Sequence, residues 1–265
     1  MSRVHIRDIT VAYDDTGIGL PVVLVHGHPF DRSMWRYQVD ALGGRYRMIT
    51  YDLRGYGESA VVPGKTTLEE FARDLAGLLD YLDVPEIVLG GLSMGGQIVL
   101  EFYRSYPERV SALVLADTFA QLDAPAGRQA RLEMADSLMR DGWKGYADEV
   151  LPRMIAPKTI REQPGVAAHV LRMMRGTSAA GAAAALRGRA ERRDYTPLLA
   201  AISVPTLIVV GSDDEFTPVS DAELMHRGIP GSRLEVIAGT GHMPNVERPE
   251  EFNRILGEFL DSLEE

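Results

Sequence analysis

Gly91-Leu92-Ser93-Met94-Gly95-Gly96 decides how this chain is read. It follows the apolar run Ile87-Val88-Leu89, which reads as a buried strand. It precedes Gln97-Ile98-Val99-Leu100-Glu101-Phe102-Tyr103, which reads as a helix. A serine on so sharp a strand-to-helix turn packs neither into the sheet nor along the helix, so it is pushed to the rim with its hydroxyl exposed. Gly91 and Gly95 remove the Cβ atoms that would collide where the chain crosses itself. The helix start aims unpaired N–H groups and the positive end of its dipole at the same spot, where developing negative charge is favoured. The bland alternative is a glycine-rich turn with no chemistry. The strand before it and the helix after it argue against that alternative.

Outward from this turn the same rhythm continues. Val4 to Tyr13 alternates apolar and polar side chains and predicts one or two antiparallel strands at a sheet edge. Pro21 to Val25 is a continuous apolar run, a strand buried on both faces, and it leads into His26-Gly27-His28-Pro29-Phe30. A helix is expected from about Met34 to Leu42 and a strand from Tyr46 to Tyr51, followed by the loop Asp52-Leu53-Arg54-Gly55-Tyr56-Gly57-Glu58-Ser59. Leu68, Phe71, Leu75, Leu78, Leu79 and Leu82 have helical spacing, with Thr67 as N-cap and Glu70 three residues on. Ala112 to Ala116 is the next strand. The alternation then stops: 118–200 holds no good strand pattern, contains Met134, Met139, Met154, Met173, Met174 and Trp143, and is punctuated by Pro152, Pro157, Pro164 and Pro197. It reads as a helical cap inserted into an α/β core of 1–117 and 201–265. The core resumes with strands at Pro205–Val210 and Arg233–Ile237 and helices near Asp221–His226 and from Pro249 to about Leu263. Alternating strands and helices imply a mostly parallel sheet of about eight strands flanked by helices. Right-handed crossovers then put the strand C-terminal ends on one rim, where ligands bind.

Composition narrows the function classes. Of the 265 residues, 45% are hydrophobic and 25% charged, ordinary globular usage for a single structural unit of this size. A net charge of −10 argues against nucleic acid and anionic membranes as partners. With no cysteine, disulfides, thiolate catalysis and cysteine-ligated metals are excluded. Met1-Ser2-Arg3-Val4-His5 lacks the apolar stretch of a secretory leader, and no run approaches the ~20 apolar residues of a membrane span. The expectation is a cytoplasmic protein acting on a small molecule, with no metal and no cofactor; whether it forms a homo-oligomer stays open.

A serine nucleophile needs a base, and six histidines are available. His242, in Gly239-Thr240-Gly241-His242-Met243-Pro244 just after the last strand, is the one on the expected rim. His5 and His226 read as surface residues, His169 lies in the insertion, and His26 is expected to pack beneath its loop. The base needs a third group to fix its tautomer and stabilise imidazolium. Asp214, in Gly211-Ser212-Asp213-Asp214-Glu215-Phe216-Thr217-Pro218, follows a strand, but Asp213 and Glu215 adjoin it. Asp117 is a second strand-end candidate, or a cap for the first insertion helix. The order Ser93, Asp214, His242 fits successive rim strands. Two N–H donors should meet the oxyanion: that of Met94 and, from the loop after the third strand, that of His28. Phe30, Trp35 and Phe119 are candidates for an apolar pocket, with core packing as the alternative for most aromatic and methionine side chains here.

These features together resemble the α/β-hydrolase superfamily over essentially the whole chain. Within it, His26-Gly27-His28-Pro29, Ser93-Met94-Gly95-Gly96, Asp214-Glu215-Phe216-Thr217-Pro218 and Gly241-His242 resemble small bacterial esterases, cofactor-free haloperoxidases (perhydrolases) and 3-oxoadipate enol-lactonases. The resemblance favours Asp214 over Asp213 and places the second oxyanion donor on His28. It implies a serine hydrolase of small carboxylic esters or lactones working through an acyl-enzyme. Perhydrolysis, C–C or lactam hydrolysis on the same triad, and a ligand-binding receptor on a hydrolase scaffold are the alternatives. Relatives with an aspartate nucleophile are discounted because that position is Ser93.

Overall fold

The apolar runs become the centre of one sheet. The computed structural model describes residues 2–143 and 145–264. Among them eight strands, β1 (Ser2–Ile6), β2 (Ile9–Thr16), β3 (Pro21–Val25), β4 (Arg47–Tyr51), β5 (Ile87–Leu92), β6 (Val110–Ala116), β7 (Thr206–Gly211) and β8 (Arg233–Ile237), lie in the order β1-β2-β4-β3-β5-β6-β7-β8. β2 runs antiparallel to both β1 and β4, and every pair from β4 to β8 is parallel. The expected edge alternation is the β1–β2 hairpin. The inner strands are buried on both faces, as their unbroken apolar runs require.

The period of two assigns each residue to a layer. Val23 and Val25 face the core beneath α2 (Leu68–Tyr81) and α3 (Met94–Ser105), together with Phe71, Leu75 and Phe102. Val22 and Leu24 face the opposite layer, where α1 (Arg36–Leu42) and the final α12 (Pro249–Asp261) bring Leu42, Phe252 and Leu256. The helix expected from Met34 begins instead as a 3₁₀ turn, Arg32–Trp35, capped by Asp31. Thr67 caps α2 as its position predicts, accepting the Glu70 N–H at 3.3 Å.

Between β6 and β7 the described chain is helical: α4 (Pro125–Asp141), α5 (Tyr146–Met154), α6 (Pro157–Glu162), α7 (Pro164–Gly176), α8 (Ala179–Arg189) and α9 (Thr196–Leu199). Pro125, Pro157 and Pro164 open helices, where a missing N–H has no consequence, whereas Pro152 sits inside α5. The core closes with α10 (Val219–Gly228) and the short α11 (Pro244–Glu247). The alanine-rich α8 carries Gly188, where a Cβ would lie 1.7 Å from the Thr66 carbonyl oxygen. Only a residue without a side chain lets this helix seat on the core at that distance.

Gly188→Ala is therefore expected to cost about 1–3 kcal/mol, read from the urea midpoint. Gly165→Ala, at the start of α7 and facing open space, should instead hold or raise stability by some tenths of a kcal/mol, through the helix propensity of alanine.

Candidate active site

The turn after β5 has the geometry that its sequence demands. Ser93 adopts φ 58°, ψ −116°, outside the regions an L-residue prefers, and donates its N–H to the Ala116 carbonyl at 3.0 Å. The strain follows from a backbone crossing: a Cβ on Gly95 would lie 2.3 Å from the Val25 oxygen, and one on Gly91 2.5 Å from the Gly95 carbonyl. The β3–β5 register pairs Val25 with Gly91, so the loop leaving β3 runs directly beside Ser93. There Gly27 passes the Leu92 carbonyl and the Ser93 Cβ at distances that would be 2.9 and 3.3 Å for an added Cβ. This brings the His28 backbone to the serine. The His28 N–H makes no backbone hydrogen bond among the described residues, and the Met94 N–H opens α3 with no carbonyl one turn back. The His28 ring sits 2.8 Å from the Tyr56 hydroxyl; burial, with Arg189 and Arg131 nearby, holds its pKa well below the usual value, so it is neutral.

The imidazole of His242 lies in the loop after β8, and its Nδ1 is 2.7 Å from Asp214 Oδ2, in the loop after β7. Both side chains are buried. Asp214 also accepts the N–H groups of Phe216 (2.8 Å) and Thr217 (3.2 Å) and the Thr217 hydroxyl. Burial pushes the Asp214 pKa upward, but His242 and these donors outweigh it, and the carboxyl is held below its ordinary value. Asp213 and Glu215 are exposed; Glu215 pairs with Arg153. The His242 loop is fastened to the insertion: its N–H donates to the Met154 carbonyl at 3.0 Å. The buried Glu247 accepts from the N–H groups of Gly241 and Ala156 and from the Thr159 hydroxyl.

Asp117 is neither the partner of His242 nor a cap of α4, which starts eight residues later. It is buried at φ 41°, with Oδ1 accepting the Gly211 N–H at 2.9 Å and Oδ2 making no geometric hydrogen bond among the described residues. One ligand atom each from Asp117, Asp214 and His242 lies within 4.8 Å of the others. Burial first, and then the Asp214 charge, push the Asp117 carboxyl well above the ordinary range.

Ser93, His28 and His242 line one cavity of about 450 Å³, walled by Phe119, Met134, Met154, Leu186 and Phe216 and by Arg131, Arg153 and Arg189. Phe119 borders this cavity. Phe30 and Trp35, also candidates for it, do not: both are fully buried in the core, Trp35 against the Phe252 ring. They precede and follow the tight Asp31 cap, which turns both side chains into the layer over α12. His26 packs beneath its loop as expected, accepting the Leu53 N–H at 3.0 Å. His169 is buried against the Ser33 carbonyl, and His5 and His226 are exposed. Sequence reasoning missed Glu247, Thr217 and the three arginines. Only the threonine had a local signal, three residues after the acid.

A family profile described as alpha/beta hydrolase fold matches residues 21–249. The chain belongs to the α/β-hydrolase family. Over 237 residues it is 34% identical to 3-oxoadipate enol-lactonase 1 of Acinetobacter baylyi, covering 88% of this hydrolase and 86% of that one. It is 32% identical to a putative non-heme chloroperoxidase of Synechocystis, with 95% of each chain covered. Among solved structures, a thermophilic esterase from Thermogutta terrifontis, determined with malate bound, superposes with a TM-score of 0.97 at 42% identity, covering 99% of each chain.

The raised pKa of Asp117 sets a pH dependence in this hydrolase. Its folded pKa lies above the unfolded value of 3.8, so the native state holds a proton that the unfolded chain releases. Stability is therefore complete below that value and falls as pH rises through it, by about 1.4 kcal/mol per unit until the folded pKa is reached. Asp117→Asn removes this titration and keeps the acceptor for Gly211. Its unfolding midpoint relative to the parent should rise as pH increases above about 4; a pH-independent difference would contradict a raised Asp117 pKa.

Proposed function

We propose that this chain is a serine hydrolase of small carboxylic esters or lactones. Ser93 attacks the carbonyl carbon, and its proton passes to Nε2 of His242. Asp214 holds Nδ1–H of His242, fixing the tautomer and stabilising the imidazolium that forms. The N–H groups of Met94 and His28 receive the negative charge on the former carbonyl oxygen. His242 returns the proton to the leaving alcohol, or to the ring oxygen of a lactone, which stays attached to the acyl group. Water, deprotonated by the same imidazole, then releases the acid from Ser93. The insertion over residues 118–200 acts as the cap that shapes the acyl site.

One observation carries this reading: the buried 2.7 Å bond from His242 to Asp214, with His242 opening on the same cavity as a serine held at φ 58°. A histidine buried against a carboxylate is oriented, and its other nitrogen is left for the serine side of the cavity. The likeness to an enol-lactonase and to an esterase supports ester and lactone carbonyls as the substrates.

The test is a rate panel of p-nitrophenyl esters and simple lactones. Ser93→Ala should lower kcat by about 10⁴–10⁶-fold, and Asp214→Asn by about 10⁴-fold, with both proteins folded. Ser93→Ala turnover equal to the parent's would falsify the assignment. The chloroperoxidase relative favours one further measurement on the same proteins. Acetate with hydrogen peroxide and monochlorodimedone reports whether peroxide replaces water at the acyl-enzyme.

A further inference from the structure

We propose that Arg189 binds a carboxylate carried by the substrate, so that this hydrolase acts on anionic esters or lactones in preference to neutral ones. The inference rests on the hydrolase reading above and names its substrate class.

The arginines around the cavity differ in one respect. Arg131 makes a two-pronged bond to Asp123 at 2.9 and 3.0 Å. Arg153 pairs with Glu215 and covers the Phe216 ring. Arg192, behind the wall, lies over Phe119 and 3.6 Å from Asp123. Arg189 is 5% exposed, lines the cavity with Ser93, and among the described residues meets no carboxylate within ion-pairing distance. Its hydrogen bond in the described chain is from Nε to Gln97 Oε1 at 3.1 Å. Among the described residues the two terminal nitrogens, the part of a guanidinium that grips a carboxylate side-on, make no hydrogen bond.

A buried cation without a counter-charge is strongly unfavourable, and a protein keeps one only where something offsets it. Here the neighbours make it worse: three guanidinium groups share the single carboxylate of Asp123, and both Arg131 and Arg192 repel Arg189. Gln97 belongs to the first turn after Ser93, so the bond from Arg189 sets the cation at a fixed place relative to the serine. Arg189 offers a buried fork to a cavity lined by Phe119, Met134, Met154 and Leu186. That arrangement suits a planar carboxylate on a short carbon chain.

The experiment compares kcat/KM for p-nitrophenyl monoesters of succinate, glutarate and adipate with their neutral methyl-ester counterparts, after subtracting the Ser93→Ala rate. The parent should prefer the anionic member at one or more chain lengths by at least about 10-fold, the scale of one charge-assisted hydrogen bond. Arg189→Gln should abolish that preference, and Arg189→Lys, which keeps the charge but not the fork, should restore part of it. No preference in the parent at any length, or the same preference in Arg189→Gln, overturns the proposal. Glutarate binding gives a readout independent of turnover: it should raise the unfolding temperature of the parent and of Ser93→Ala, but not of Arg189→Gln. A parent that binds glutarate through Arg189 yet hydrolyses no ester sinks the hydrolase reading and leaves the anion site standing. A glutarate shift retained in Arg189→Gln sinks the site.

Discussion

The contact between Gly95 and the Val25 carbonyl is the constraint from which the rest of the site follows. A strand that turns into a helix over two residues has to cross its neighbouring strand, and here the crossing leaves no room for a Cβ. Ser93 takes up the angular strain at φ 58° and is lifted off both elements. The same crossing places the loop from β3 beside the serine and directs the first N–H groups of α3 at it. Ser93, the two N–H groups proposed as donors and a helix terminus are thus brought together by one steric condition.

The acid and base arrive by a different route. In a parallel sheet the ends of β6, β7 and β8 lie on one rim, and β7 pairs with β8 up to Gly211 and Ile237. The loops that follow therefore meet, and Asp214 reaches His242. Two neighbouring carboxyls then divide by environment. Asp214 gathers donors and its pKa is held below the ordinary value, while that of Asp117, with one donor and a charged neighbour, is pushed up. Glu247 and the Met154 carbonyl tie the histidine loop to the insertion, so the position of the imidazole depends on how those helices pack. The charge pattern is local as well: a chain of net charge −10 holds a cavity lined by Arg131, Arg153 and Arg189.

Legibility followed the range of the interactions. The strands were readable because burial on both faces demands an unbroken apolar run, as in Pro21–Val25, and burial on one face demands alternation, as in β1 and β2. The start of α2 was readable because a cap is a contact over three residues. The order of Ser93, Asp214 and His242 along the chain was readable because each ends a strand. Phe30 and Trp35 were misplaced because an aromatic side chain near the rim is written the same way whether it faces a cavity or the core. The direction was set by the Asp31 turn and by Phe252, more than two hundred residues away.

The sequence by itself determined the alternating α/β architecture, the strained serine turn and the candidates for each role, since these depend on local sterics and on periodicity. Only the tertiary structure decided that Asp214 rather than Asp117 holds His242, that Glu247 anchors the histidine loop, and that Arg189 borders the cavity with no ion pair among the described residues. Each of those depends on which side chains from distant segments share a buried volume and on how much charge that volume already contains. Ionisation and pairing in a low-dielectric interior are properties of the assembled neighbourhood, and no stretch of chain contains that information alone.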